Sequence, residues 1–316
     1  MINYLHNHKD FPALLRIVGE EMAIEPALIE KDYWIMHVLY GLKRQGFQFE
    51  LKGGTSLSKG YGIIHRFSED IDIHIKPPAA MGINENPKNN KARNVAARSQ
   101  FYDWLADSIE INGIISTERD HEFDDIPSYR SGGIRLYYQN FTEPVTGLKN
   151  GILLETGFDT VTPNTVLDIS SWAFNKAVKQ GVAVIDNRAI GIACYHPGYT
   201  FVEKLQTIAT KFRQERETGE ERQNLMRQYY DVYSLLGHKQ VQNFIGSEEY
   251  QKHKVVRFPK IDYNVPITEN EAFLLTDNAL RKRFIERYQL TAKLYYNGQP
   301  DFEEMLATIH QWLGKL

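Results

Sequence analysis

The sequence predicts an α/β unit followed by a helical bundle, and three observations point to it. Short segments alternating apolar and polar side chains recur between residues 47 and 158, and segments with helical spacing flank them. Beyond Cys194-Tyr195-His196-Pro197 only helical periodicity remains. A chain of 316 residues is long enough for two domains, and 42% hydrophobic with 24% charged residues implies a packed core rather than disorder. The expected organisation is N-terminal helices over 1–45, an α/β domain over 46–193 and a helical domain over 194–316.

Taken in order, Phe11-Pro12-Ala13-Leu14-Leu15 opens a helix. Ile24 to Leu42 forms another, with Leu28, Ile29, Trp34, Ile35, Val38 and Leu39 at helical spacing, and Gly46 ends it. Phe47 to Leu51 alternates like a short strand and stops at Gly53-Gly54. Thr55 to Tyr61 then starts a helix, expected to be capped by Thr55 or Ser56. Asp70-Ile71-Asp72-Ile73-His74-Ile75 has strict period 2, with the isoleucines on one side and Asp70, Asp72 and His74 on the other.

Lys76 to Arg93, rich in Pro, Gly, Asn and Lys, is expected to be a mobile loop that a partner or substrate orders. Val95 to Ile111 returns to helical spacing. Ile134 to Tyr138 and Ile152 to Phe158 are strands joined through the Pro144 to Asn150 turn, an antiparallel pair added to the first sheet. The α/β unit closes near Asp168 to Phe174. Gly198 to Arg216, Glu221 to Leu236, Ala272 to Tyr296 and Phe302 to Leu313 are the expected helices of the bundle.

With 37 basic and 40 acidic residues the net charge is −3, which argues against a cationic protein that coats nucleic acid. Cys194 is the single cysteine, so an internal disulfide is excluded and the thiol is expected to be buried and inert. No apolar run approaches the roughly 18 residues of a membrane span, and no basic segment leads from Met1 into a signal-peptide core. The expectation is a cytoplasmic protein without a membrane partner.

The stretch that carries chemistry is Lys52-Gly53-Gly54-Thr55-Ser56-Leu57-Ser58-Lys59, followed by Arg66-Phe67-Ser68-Glu69-Asp70-Ile71-Asp72. A glycine pair between strand and helix lets backbone approach a ligand, and the helix start offers N–H groups that suit phosphate. Thr55, Ser56 and Ser58 add hydroxyl donors. A Walker A loop is excluded, because Ser58 precedes Lys59 and Gly60 follows it.

Asp70 and Asp72 leave one face of one strand about 7 Å apart at the backbone, and two such carboxylates repel unless metal or protons neutralise them. Two Mg²⁺ ions, with Mn²⁺ as a substitute, suit oxygen ligands and substrate phosphates, and Glu155 in the polar phase of a later strand supplies a third carboxylate. An Asp-x-Asp pair alone is commonly the wet face of a strand, and a glycine pair alone is commonly a turn. Their joint spacing gives the weight.

The combination of these two segments with the upstream Glu30-Lys31-Asp32-Tyr33-Trp34 resembles the AbiEii/AbiGii-type nucleotidyltransferase toxin family, a branch of the DNA polymerase β-like superfamily. The resemblance implies a polymerase β-like sheet flanked by helices with a C-terminal helical bundle. It also implies a Mg²⁺-dependent nucleotidyltransferase, the toxin half of a type IV toxin–antitoxin or abortive-infection pair with a cognate antitoxin. Carried over onto this sequence, Lys52, Gly53, Gly54, Thr55 and Ser56 match the phosphate-binding turn, and Asp70, Asp72 and Glu155 the metal carboxylates. Lys204 with Lys211, and Arg227 with Asp231, match the family's later lysine helix and Arg/Asp helix. Asp231 is expected to orient Lys204 or Arg227.

The residues themselves allow this and a blander account. Thr200, Lys204 and Lys211 share one helical face and Arg227 with Asp231 is an i, i+4 pair, patterns that are usually a solvated face and a surface ion pair. Lys88, Lys91, Arg93 and Arg98 form either a local phosphate-binding edge or a solvated cluster. His74 shares the aspartate face, as a metal ligand or a packing residue. The expected reaction moves NMP from an NTP to an acceptor hydroxyl on RNA, such as tRNA, or on protein. The alternatives are a metal-dependent phosphotransferase or nuclease on the same carboxylates, or a non-catalytic interaction protein.

Overall fold

The computed structural model describes residues 2–86, 88–145, 147–222 and 224–316. The chain divides into two compact units, Met1–Tyr61 with Phe67–Tyr195, and Gly62–Arg66 with His196–Leu316. In chain order the first contains α1 (Phe11–Met22), α2 (Pro26–Arg44), β1 (Phe49–Lys52), α3 (Gly53–Thr55), β2 (Asp70–Ile75) and α4 (Ala92–Ser108). It continues with β3 (Ile114–Asp120), β4 (Ser131–Tyr138), β5 (Ile152–Gly157), β6 (Asn164–Ile169), α5 (Trp172–Lys179) and β7 (Ala189–Tyr195).

Among the described residues the strands form one sheet in the order β3-β4-β5-β2-β1-β7-β6. β2 runs antiparallel to β1 and parallel to β5, β1 parallel to β7, and the remaining neighbours are antiparallel. The fold class is mixed α/β, as the alternating segments imply. The β4–β5 antiparallel pair joins the first sheet through β5.

The period-2 reading of β2 holds: Ile71, Ile73 and Ile75 are fully buried, whereas Asp70, Asp72 and His74 are half-buried. The isoleucines share a core with Leu51, Ile134 and Leu154 of the sheet and with Ile35, Leu39, Phe101, Leu105 and Ala173 of the helices. Burial of each such large apolar side chain contributes about 1.5–3 kcal/mol. One sheet face is thereby committed to the core, and the other is left to polar chemistry.

Three strands and one helix of this unit lie beyond the sequence expectation: β3, β6, β7 and α5. β3 and β6 are sheet edges carrying polar residues among their apolar ones. β7 is interrupted by Gly191, whose φ is +67° and whose N–H donates to Asp168 Oδ1 at 2.8 Å. There the β6–β7 register shifts, a bulge that hides strand periodicity.

The expected Thr55 to Tyr61 helix is also different. α3 is one turn from Gly53, followed by a wider π-type turn over Ser56–Gly60 that closes with Tyr61 N–H donating to the Ser56 carbonyl at 3.0 Å. Neither Thr55 nor Ser56 caps it. Lys52 holds the cap position, because the glycine pair already starts the turn.

The second unit contains α6 (Pro197–Thr218), α7 (Leu225–Leu236), α8 (Lys239–Phe244), α9 (Glu248–Arg257), α10 (Lys260–Tyr263), α11 (Glu271–Leu274), α12 (Asn278–Gln289) and α13 (Phe302–Trp312). The expected long helix from Ala272 is broken. Leu275 adopts φ +45°, and the Asp277 carboxylate accepts from Ala279 and Leu280 N–H to cap α12. Ser247 caps α9 in the same manner. The excursion Gly62–Arg66 is fastened inside this unit: His65 N–H donates to Tyr230 Oη at 2.9 Å and Tyr296 N–H to the His65 carbonyl at 3.1 Å. Among the described residues no helix is long and apolar enough to cross a membrane.

Candidate active site

The polar face of the sheet is built on register. Asp72 of β2 pairs across to Lys52 of β1 on one side and Glu155 of β5 on the other, and Glu155 pairs with Gly133 of β4. Neighbouring strands stand roughly 4.8 Å apart, so the Asp72 and Glu155 carboxylates are side by side. The electrostatic result is large. Asp72 first, then burial and Asp70, push the Glu155 carboxyl from 4.5 up to about 7, with Lys52 and Lys149 partly opposing. Asp70 lies two residues before Asp72 on the same face. Its Oδ2 takes the Lys149 ammonium at 3.1 Å, while its Oδ1 is buried with no hydrogen-bond partner.

The glycine turn touches this cluster directly. Gly53 has φ +69°, and a Cβ built there would fall 1.8 Å from Asp72 Oδ2. No other residue fits without displacing the carboxylate. If the carboxylate row is the reacting centre, Gly53→Ala is expected to lower its activity about a hundredfold or more, the scale of losing a positioned group. Single-turnover kinetics of the variant measure it, and a loss below about threefold would contradict the close approach.

Gly54 is buried behind Gly53, and Lys52 Nζ lies 3.6 Å from Asp159 Oδ2. The Thr55 hydroxyl donates to the Asp70 carbonyl at 2.6 Å and so braces β2. Ser56 is buried near the Cys194 thiol, whose pKa burial pushes up to about 11, in keeping with an inert cysteine.

Among the described residues no three His, Cys, Asp or Glu side chains form a ready-made cation cage. The donor set nevertheless fits a divalent ion. Asp70, Asp72 and Glu155 share a face, one buried carboxylate oxygen is orphaned, and a glutamate clings to its proton because its neighbours are anionic.

This has a pH consequence. Glu155 holds its proton more tightly folded than unfolded, so its stabilising contribution is complete below 4.5 and is lost as pH rises through about 7. The thermal midpoint should fall across that window in the metal-free protein, and Glu155→Gln should flatten the fall. Mg²⁺ should raise the midpoint at about pH 8 and scarcely at about pH 5. An equal Mg²⁺ shift at both pH values would contradict the assignment.

The helical unit carries a second constellation. Asp231 on α7 is fully buried; its two oxygens take Nε and Nη2 of Arg66, each at 2.7 Å, and Lys204 Nζ of α6 at 2.9 Å. Burial alone would raise its carboxyl, but Arg66 and Lys204 outweigh burial and hold it below the ordinary range. Asp231 thus pairs with Lys204, one of the two partners expected for it, and with Arg66, an arginine the sequence motifs give no role. Burial, then Lys204, lower the Lys211 ammonium, so these two lysines share one surroundings. Arg227 lines a concavity of about 380 Å³ with Arg222 and Arg287.

The model of the nucleotidyl transferase AbiEii toxin family, of type IV toxin–antitoxin systems, matches residues 37–308. The chain belongs to the AbiEii toxin family. Among solved structures, this AbiEii chain is similar to JHP933 from Helicobacter pylori, with 15% identity, 92% of each chain covered and a TM-score of 0.46. It is similar also to an antigenic nucleotidyltransferase-like protein from Paracoccidioides brasiliensis, with 14% identity, 87% of this chain and 97% of that one covered, and a TM-score of 0.36. No curated protein matches. The family match alone carries the assignment.

In this AbiEii chain the Glu30-Lys31-Asp32 run explains itself as wiring. α2 is buried nearly all round, so its charges must be paired. Glu30 accepts from Phe141 and Thr142 N–H at 2.8 and 3.1 Å. Lys31 reaches Glu69 at 3.4 Å and the Lys149 carbonyl at 2.6 Å. Asp32 takes Lys59 at 2.6 Å and Trp172 N–H at 2.8 Å. One helix thereby fixes the glycine-turn segment, the entry to β2 and the β4–β5 connection.

One further expectation is corrected, and one of two readings of His74 is favoured. Arg98 is no surface cation: it is fully buried, donating to the carbonyls of Ser128, Asn84, Asn86 and Asn89 at 2.8 to 3.4 Å. It ties the segment expected to be a mobile loop to α4, and of the four cations named for that edge only Lys88, Lys91 and Arg93 are exposed. His74 lies between Glu50 at 2.9 Å and Glu85 at 3.1 Å, held by carboxylates rather than aimed at the aspartates.

Proposed function

We propose that this AbiEii protein is a Mg²⁺-dependent toxin that transfers NMP from an NTP to an acceptor hydroxyl on RNA, such as tRNA, or on protein. The observation carrying the reading is the Lys52–Asp72–Glu155 row with Gly53 closed against Asp72. Phosphoryl chemistry asks mainly for positioning and charge neutralisation, and a strand-borne carboxylate row beside a backbone turn supplies both.

Asp70, Asp72 and Glu155 would hold the divalent ion. When bound, it would neutralise phosphate charge and polarise the reacting phosphorus. Gly53 and Gly54 offer backbone N–H groups to the β and γ phosphates. Glu155 would position the acceptor hydroxyl, whose proton leaves to solvent as its oxygen bonds to the α-phosphorus and the bond to pyrophosphate breaks. Lys204, oriented by Asp231, and Lys211 are assigned to the negative charge of the triphosphate, and Arg227 to the nucleotide.

The test incubates the protein with Mg²⁺, total bacterial RNA or protein, and each NTP labelled in turn at the α or γ position. Label entering an acceptor from the α position alone, with pyrophosphate released, is the expected result. Transfer of γ label would make it a phosphotransferase, and shortened RNA without label a nuclease.

A further inference from the structure

We propose that Lys149 is the internal counter-ion of the carboxylate row, a positioning residue that holds Asp70 and competes with the divalent ion for it; this rests on reading that row as a cation site. Lys149 Nζ stands 3.1 Å from Asp70 Oδ2 and 4.7 Å from the centre of the Phe123 ring. Phe123 in turn packs at Gly133, the strand partner of Glu155, so the ammonium lies at the rim of the row.

The placement is built rather than incidental. Lys149 N–H donates to Glu69 Oε2 at 3.0 Å, and its carbonyl accepts Lys31 Nζ at 2.6 Å. Lys31 and Glu69 are themselves a buried pair, 1% and 7% exposed. Glu69 immediately precedes Asp70, so one buried pair fixes the Lys149 main chain and the base of the carboxylate it faces. The Lys149 side chain is itself 39% exposed, so its ion pair contributes little stability, and it is the anchored main chain that keeps the ammonium beside Asp70.

The consequence follows from charge. An ammonium on Asp70 neutralises part of the repulsion among three carboxylates, which helps the ion-free fold. The same ammonium repels an arriving divalent ion at a few ångströms, where even a solvent-weakened interaction changes affinity on the order of tenfold. Lys149 would thus set the ion concentration at which the site fills.

Manganese binding to the full-length protein, followed by electron paramagnetic resonance, tests this apart from activity. Lys149→Met and Lys149→Gln should each bind Mn²⁺ about tenfold more tightly than wild type, while Lys149→Arg should stay near it. Unchanged or weaker binding in both neutral variants, with binding abolished in Asp72→Asn, would overturn the role of Lys149 and leave the cation site standing. Wild type binding Mn²⁺ no better than Asp72→Asn would overturn both.

Discussion

Asp72→Asn is expected to reduce nucleotidyl transfer by about a thousandfold or more while leaving the protein folded. The side chain is nearly isosteric and half-buried, so packing is preserved, and what disappears is one negative charge facing Glu155. Because Asp72 is the largest cause of the raised Glu155 carboxyl, its neutralisation should return that group toward its ordinary range. The variant should therefore lose less stability than wild type between about pH 4.5 and 7. Transfer from an α-labelled nucleotide and thermal unfolding across pH measure the two effects. Full transfer by this variant would sink the assignment of the row as the reacting centre.

Asp231→Ala should strongly destabilise the fold. Arg66 is 4% exposed and Lys204 is held on the same carboxylate, so removing Asp231 takes away the negative charge that both cations share. Breaking a buried pair in this way costs about 3–5 kcal/mol. Since the folded carboxyl is held below its ordinary 3.8, the stabilisation is present above that value and lost as pH falls through the lower one. Denaturant unfolding of Asp231→Ala, Arg66→Met and the double variant gives the coupling directly. A loss below about 1 kcal/mol would mean the triad is effectively solvated.

How much of this was legible depended on how local each signal is. β2 was readable because six residues alternate without a break, and the glycine turn because Gly53-Gly54 stands between strand and helix. The pairing of Asp72 with Glu155 was not, since strand order and register are set by the sheet. The Lys149–Asp70 and Arg66–Asp231 pairs join residues 79 and 165 positions apart, a distance no local pattern reports. Two signals were present and unused. Arg98 shares its helix face with Phe101, Tyr102 and Leu105, all buried, so its spacing already placed it inside. Glu30-Lys31-Asp32 sits within a helix whose neighbours are apolar on every side, which should have marked those charges as paired.

The excursion Gly62–Arg66 bears on heredity and engineering. Arg66 leaves the sheet-bearing unit only to neutralise Asp231, and the chain then returns to begin β2. A gene fragment opening at His196 would encode the aspartate and its lysine but omit their arginine. A boundary drawn at His196 therefore cuts this pair, and a transplanted helical half would carry the buried aspartate without its arginine.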